Sequence, residues 1–303
     1  MISVILLNYY STEQVYQFVC HLKEYVKETL SFVIVDNSED EQQWKQLLQA
    51  FDVQQMNQSE ILDVNKQVLL VRNHNNAGYA RGNNLGIRKA KEQFDCDYVL
   101  VSNCDLRLRA PISFLKWQRL LTEHKEIAVI GPKIESPVGE QQSPCREMSF
   151  WERWCLNLLA YPFNRYIYKR EPEVMDVGRA QKVYRVQGSF LFCDYGKFAQ
   201  VGMFDEYTFL YGEEMILAQR LLNHGMCMYY EPQIVILHEH NQVIGNYYSD
   251  KKRDFMKLKS ELYFYRTYKK MPGIIKPIAY CCLQLYYWKK IVVEQIKSKL
   301  KHE

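Results

Sequence analysis

Four uninterrupted apolar runs, each closing on a polar tip and separated by stretches of helical period, shape the first hundred residues. ISVILLNYY, from Ile2 to Tyr10, predicts a buried strand that ends near Asn8. From Ser11 to Lys27 the apolar residues return at Val15, Phe18, Val19, Leu22 and Val26, the spacing of an amphipathic helix. Phe32 to Val35 is a second strand, closed by Asp36, Asn37 and Ser38, and a helix is expected from Gln42 to Phe51. Gln54 to Asn65 is polar and reads as loop; Val68 to Asn73 is a third strand; Tyr98 to Asp105, YVLVSNCD, is a fourth. Strands that are apolar at every position are buried on both faces, so this alternation predicts a parallel sheet with helices on its two sides. Ligands of such sheets bind beyond the carboxyl ends of the strands. That rule gathers Asn8, Asp36, Asn73, Asn103 and Asp105 on one rim.

Between the third and fourth strands lies NHNNAGYARGNNLGIRKAKEQF, Asn73 to Phe94, with Gly78, Gly82 and Gly86 four residues apart. Glycine permits close backbone approach, and a helix amino terminus offers free N–H groups to a phosphate; the other reading is a helix of small residues packed tightly on the sheet. Neither GxGxxG nor GxxxxGK[ST] is present, which removes the dinucleotide fingerprint and the P-loop. Farther on, GSFLF predicts a strand, YGEEMILAQR a helix start carrying Glu213 and Glu214, and Tyr229 to Leu237 a strand that runs into His238, Glu239 and His240. Pro132 to Arg185 is irregular and rich in aromatic and basic residues, which suits an acceptor lid, a membrane-contacting helix or a loop with its own apolar cluster.

Composition narrows the class only a little. The 303 residues are 48% hydrophobic, enough for one large core, and a net charge of +4 is too small to argue for nucleic acid. Nine cysteines without CxxC pairs fit reduced thiols, and Met1 leads straight into the first strand, so a cytoplasmic protein is expected. Charge matters most after Ser249, where lysines flank the apolar stretch PIAYCCLQLYYW, Pro277 to Trp288. That pattern fits contact with an anionic leaflet, or helices packed on the catalytic domain or on the second subunit of a homodimer.

NYY at Asn8 to Tyr10, VDNS at Val35 to Ser38, NHNNAGYARGNNLGI at Asn73 to Ile87 and SNCD at Ser102 to Asp105 together resemble a family 2 glycosyltransferase, close to the rhamnosyltransferase-like members of bacterial polysaccharide assembly. The third segment is the long, gapless and specific one. The resemblance implies an α/β protein of the GT-A fold: a Rossmann-like, mixed but mainly parallel sheet flanked by helices. It divides the chain into a catalytic domain, 1–248, with a nucleotide-sugar half (1–110) and an acceptor half (111–248) that contains the insert 132–185. A basic amphipathic helical extension, 249–303, follows.

The resemblance further implies an inverting enzyme that moves a sugar, rhamnose among the candidates, from a nucleotide diphosphate donor to a hydroxyl of a glycan or lipid-linked glycan, working at the inner face of the plasma membrane. Asn8, Tyr9, Asp36, Asn76, Gly78, Arg81, Asn83, Asn103 and Asp105 would meet the donor. Asp105 and His238, with His240 as alternate, would hold a divalent Mg2+ or Mn2+. Glu214 would be the general base, with Glu213 as its alternate, since the acceptor hydroxyl must lose a proton as it attacks. Read without the resemblance, Asp36 is equally a helix cap, Asp105 a turn cap, the two glutamates a first helical turn favoured by the dipole, and His238 a solvated strand end. Arg220 would either pair within its helix or touch the diphosphate. The tip departs from the family's DxD pattern, with Asn103 and Cys104 before the one acid. A non-catalytic nucleotide-sugar or glycan-binding subunit of an assembly complex is therefore the competing reading.

Overall fold

The computed structural model describes residues 1–53, 59–65, 67–155, 173–239 and 248–271, together with 273, 277, 278, 281, 284, 285 and 288. The expected alternation is present. It runs β1 (Ile2–Asn8), α1 (Thr12–Tyr25), β2 (Leu30–Asp36), α2 (Glu41–Ala50), β3 (Glu60–Asp63), β4 (Val68–Arg72), α3 (Gly78–Phe94), β5 (Tyr98–Ser102), β6 (Leu106–Leu108), α4 (Leu115–Glu123) and β7 (Ile127–Glu135). A single π turn, Trp151–Cys155, precedes β8 (Gln181–Val183), β9 (Phe190–Asp194), α5 (Tyr195–Gln200), α6 (Glu213–Asn223), β10 (Cys227–His238) and α7 (Asp250–Thr267).

All of these strands join one sheet in the order β3-β4-β2-β1-β5-β9-β7-β10-β6, with β8 paired to β10. β4, β2, β1 and β5 are mutually parallel, and so are β7 and β10; β9 runs against β5 and β7. The central strands feed two cores because successive side chains leave a strand on opposite faces. From β1, Ile2, Val4 and Leu6 pack with α1, α2 and α4, while Ile5 packs with α3 and α6.

Two segments differ from the sequence reading. The polar stretch before the third predicted strand contains β3, antiparallel to β4 at the sheet edge. Only Ile61 of its four residues is buried, so the apolar run that marks a central strand is missing. Similarly, Pro132 is still inside β7, and β8 lies near the other end of the expected insert, so the irregular part is shorter than 132–185. Of its aromatic residues, Tyr161, Phe163, Tyr166 and Tyr168 fall outside the described residues.

The α3 glycines separate into two roles. A Cβ on Gly86 would come within 2.6 Å of Ile5 Cγ2, and one on Gly82 within 2.9 Å of Leu7 Cδ2 and Asn37 Nδ2, so these two let the helix lie directly on the sheet. Gly78 is different. Its φ of +85° is left-handed, and a Cβ there would meet the Phe209 carbonyl oxygen at 2.4 Å. That carbonyl accepts the Tyr79 N–H at 2.7 Å, which locks the loop after β4 to the one before α6. Left-handed backbone costs an L-residue about 1–2 kcal/mol before any clash is counted. Gly78→Ala is therefore expected to lower the melting temperature by about 4 °C or more in thermal unfolding; an unchanged transition would contradict this account.

The first helix of the extension is part of the body. Phe264 and Tyr265 of α7 pack against Phe150, Met215 and Ile216. The Tyr263 and Tyr268 hydroxyls both donate to Asp205, and the Tyr265 hydroxyl donates to the Met148 carbonyl at 3.0 Å. Among the described residues no helix is long and apolar enough to cross a membrane.

Candidate active site

The carboxyl ends of β1, β2, β4 and β5 open onto a cavity of about 710 Å³ whose far wall is built by the starts of α6 and α7. Beneath it, Asn8 and Asp36 form a clasp. Asn8 Nδ2 donates to Asp36 Oδ1 at 3.0 Å, the Ser38 N–H donates to the same oxygen at 3.1 Å, and the Ser11 N–H donates to Asn8 Oδ1 at 3.1 Å. Both side chains are fully buried below the cavity surface, where they bind the two strand ends to each other. Burial pushes the Asp36 carboxyl above its ordinary value, against the hydrogen bonds from Ser38 and Asn8, and its Oδ2 has no hydrogen-bond partner.

Asn37 is the residue of that tip that lines the cavity, donating to the Gly78 carbonyl and accepting from Asn73. Asn76 accepts the Gly78 N–H at 3.0 Å, a side-chain turn that presents its Nδ2 to the Tyr248 hydroxyl at 3.2 Å. Tyr9 donates to the same hydroxyl at 3.3 Å, and its ring lies 13° from parallel to that of Tyr248 with centroids 6.3 Å apart. Tyr248, from the stretch that leads into α7, thus closes one end of the cavity.

Asp105 and His238 meet in the lining of the cavity. β6 and β10 pair antiparallel with His238 opposite Leu106, which brings His238 Nε2 to 3.3 Å from Asp105 Oδ2. On its other side His238 Nδ1 bonds Gln142 Oε1 at 2.9 Å. Gln142 thus engages Nδ1, and Nε2 is the ring nitrogen that faces the carboxylate. A histidine fixed through its second nitrogen and facing a carboxylate is a donor pair suited to a divalent cation, with further positions left for phosphate and water. Among the described residues no group of three or more His, Cys, Asp or Glu could hold a metal by itself. Burial pushes the Cys104 thiol up to about 11, and its Sγ points to Ser11 Oγ. Asn103 is held by backbone and side chain, its N–H on the Ser189 carbonyl at 2.9 Å and its Oδ1 accepting from Tyr79 at 3.5 Å.

The two glutamates open α6. Tyr211 and Gly212 take positive φ values of 72° and 87°, which turns the chain so that the helix begins at the cavity wall. Although adjacent, the two carboxyls have opposite surroundings. Glu213 is 4% exposed, and burial followed by the charge of Glu214 pushes its carboxyl to about 8, so it is neutral at pH 7. Glu214 is one-fifth exposed and salt-bridged to Arg185, with Nη1 to Oε1 at 3.1 Å.

Tyr9, Asn76, Gly78, Asn103, Asp105, Glu213, Glu214 and His238 are therefore brought together around one cavity. The other expected donor residues are not. Asn8 and Asp36 lie below it in their clasp; Arg81 turns outward to the Glu206 carbonyl at 3.1 Å; Asn83 bends back to the Tyr79 carbonyl of its own helix at 3.0 Å. Arg220 neither pairs within its helix nor reaches the cavity, because Nη1 donates to the Met203 and Gly202 carbonyls. His240 is outside the described residues. Gln142, Arg185, Tyr248 and Glu261 line the cavity without a sequence signal, since each depends on segments that meet only after folding.

Similar solved structures cover nearly the whole chain. The mannosyltransferase PcManGT of Pyrobaculum calidifontis, solved with GDP-Man and Mn2+, superposes with a TM-score of 0.55 over 94% of this chain and 69% of its own, at 11% identity. The fold is GT-A. GalNAc-T7, solved with UDP, GalNAc and Mn2+, gives a TM-score of 0.51 over 79% of this chain and 43% of that one, at 14% identity. No protein-family model matches the sequence. Among curated proteins, the GT-A chain is 25% identical over 236 residues to the low-salt glycan biosynthesis hexosyltransferase Agl10 of Haloferax volcanii, which spans 75% of this chain and 64% of the relative. It is 29% identical over 157 residues to the N-acetylglucosaminyl-diphospho-decaprenol L-rhamnosyltransferase of Mycobacterium tuberculosis, 49% of either chain. The chain thus spans about half to two thirds of the length of these relatives.

Proposed function

We propose that this chain is an inverting glycosyltransferase that moves a hexosyl or deoxyhexosyl group, rhamnose among the candidates, from a nucleotide diphosphate donor to a hydroxyl of a glycan or lipid-linked glycan. The observation that carries this reading is one cavity holding both an imidazole–carboxylate pair, His238 and Asp105, and a separate carboxylate, Glu214. A transferase needs these as two distinct parts, one for the departing diphosphate and one for the attacking hydroxyl.

Tyr9, Asn76 and Tyr248 offer an aromatic and amide wall to the nucleoside. Gly78, Asn103 and Asp105 line the same side toward the diphosphate. Asp105 and His238 would hold the divalent metal, which would supply charge stabilisation for the departing diphosphate. Glu214 accepts the acceptor's proton while Arg185 keeps its carboxylate in place. Glu213, neutral beside it, adds no second negative charge to the site. Attack on the face opposite the departing diphosphate inverts the anomeric centre in one displacement.

A lipid-linked acceptor is supported by the Mycobacterium relative's name and by the extension. Ile278, Leu285 and Trp288 are all exposed, at 44%, 56% and 67%, and the sequence around them carries Lys276, Lys289 and Lys290. Exposed apolar residues in a lysine-flanked stretch suit an anionic leaflet.

Thermal unfolding against a panel of UDP-, GDP- and dTDP-sugars, with and without Mn2+, tests the donor assignment. The cognate donor at ~100 times its dissociation constant is expected to stabilise the protein by roughly 2.7 kcal/mol, and metal should enlarge the shift. In the same assay Tyr248→Ala should weaken nucleotide binding about tenfold, the worth of one base–aromatic contact. No shift with any nucleotide would count against the whole reading.

A further inference from the structure

Glu214 is the end of a chain of ion pairs that is buried at Arg185 and Glu261 and partly buried at its other members. Arg185 binds it through Nη1 at 3.1 Å and binds Glu173 through Nη2. Glu173 also binds Arg153, at 2.8 Å, and Arg153 Nε binds Glu261 at 2.8 Å. The five side chains alternate in sign and all line the cavity. They come from separate parts of the chain: the π turn, the approach to β8, the stretch after β8, the first turn of α6 and the middle of α7. Arg185 is 7% exposed and Glu261 2% exposed.

We propose that the extension helix is a working part of the catalytic centre, with Glu261, Arg153, Glu173 and Arg185 acting as positioning residues for the Glu214 carboxylate. The inference rests on reading Glu214 as the base. Three features carry it. First, each guanidinium is shared between two acids, so neither can turn to follow one partner without leaving the other. Second, removing a partner from a buried pair leaves an uncompensated charge, which makes rearranged versions of the ladder costly. Third, the space beside Glu214 is narrow: a Cβ on Gly188 would stand 3.3 Å from its Oε2, so any side chain at 188 would press on the carboxylate that Arg185 holds. Glu261 anchors the other end in α7, whose Phe264 and Tyr265 are themselves packed on α6. The same helix therefore reaches α6 twice, once through apolar contact and once through charge.

The test is a double-mutant cycle of Glu261→Gln, Glu214→Gln and the combined variant. Two quantities are followed: the melting temperature, and turnover of the sugar nucleotide from the UDP-, GDP- and dTDP-sugar panel that gives the largest thermal shift. Nucleotide affinity is measured by calorimetry with UDP or GDP. Glu261→Gln keeps the shape of the side chain and removes its charge. It is expected to lower kcat about tenfold or more, since small misplacement of a catalytic group costs up to ~10²-fold, while leaving nucleotide affinity within about twofold. In the Glu214→Gln background it should lower kcat no further, and the two melting-temperature losses should be non-additive, as for members of one network.

An unchanged kcat in Glu261→Gln, a parallel loss of kcat and nucleotide affinity, or additive melting losses would each overturn the proposal. Additive melting losses overturn it even if no donor turns over. Should Glu261→Gln not fold, Arg153→Lys gives the same reading, because it keeps the charge and loses the fork that spans two acids. If Glu214→Gln keeps full turnover, it is the base assignment that fails; if Glu214→Gln is inactive and Glu261→Gln is indifferent, only the role of the extension fails.

Discussion

Glu214→Gln is expected to lower sugar transfer by roughly 10²- to 10⁴-fold, the usual contribution of a positioned general base, with nucleotide affinity nearly unchanged. The substitution keeps the side chain's size, so Arg185 loses a charged partner without a gap opening beside Gly188. Glu213→Gln is the informative contrast. Its carboxyl, pushed to about 8 by burial and by the neighbouring charge, is already neutral at pH 7, so glutamine imitates the state present in the native protein. Transfer by this variant should stay within about tenfold of wild type. Stability gives a second readout. An acid with a raised folded value holds its proton more tightly when folded; the stability this supplies is complete below about 4.5 and lost as pH rises through about 8. Between pH 6 and 9 the wild type's melting temperature should therefore fall more steeply than that of Glu213→Gln. If Glu213→Gln abolishes transfer and Glu214→Gln does not, the two roles are exchanged.

Much of the first hundred residues could be read from pattern because their signals are local. A strand buried on both faces is apolar at every position, and its tip is the next polar residue, so β1, β2, β4 and β5 and the rim they form follow directly from the sequence. The edge strand β3 could not be read this way, because an edge strand half in solvent carries no continuous apolar run. The same limit applied to individual side chains. Asn8 and Asp36 sit at the right rim, but β1 and β2 pair Asn8 directly opposite Asp36, and two polar groups so placed satisfy each other in the interior. Arg81 and Asn83 stand in the most specific motif of the chain yet are drawn away, one by Glu206 and one by its own helix. The later part of the chain was less legible still. Arg185 touches Glu214 only because β8 pairs with β10, and Glu261 reaches the site only because α7 folds back over α6. No spacing in the sequence encodes contacts between segments that far apart.

Asp105→Asn should be the most damaging change on the donor side. The tip offers one acid: Asn103 is committed to the Ser189 carbonyl and the Tyr79 hydroxyl, and Cys104 is a partly buried thiol facing Ser11. The whole negative charge available to a cation at this tip therefore rests on Asp105, supported by His238 at 3.3 Å. Replacing the carboxylate by an amide keeps the shape and the contact with His238, and removes the charge. A metal's stabilisation of a departing diphosphate is worth several kcal/mol, so donor turnover should fall by about 10³-fold or more. The signature lies in metal dependence. In the thermal-shift assay the extra stabilisation that Mn2+ gives to nucleotide binding should vanish in Asp105→Asn, while the metal-free shift, proposed to depend on Tyr9, Asn76 and Tyr248, should remain. If Asp105→Asn binds nucleotide as the wild type does, with the same gain from Mn2+, then the cation is held elsewhere and the single acid at the tip is structural. If the wild type shows the metal-dependent shift but no transfer to any acceptor, the chain is a nucleotide-sugar-binding subunit built on a GT-A frame.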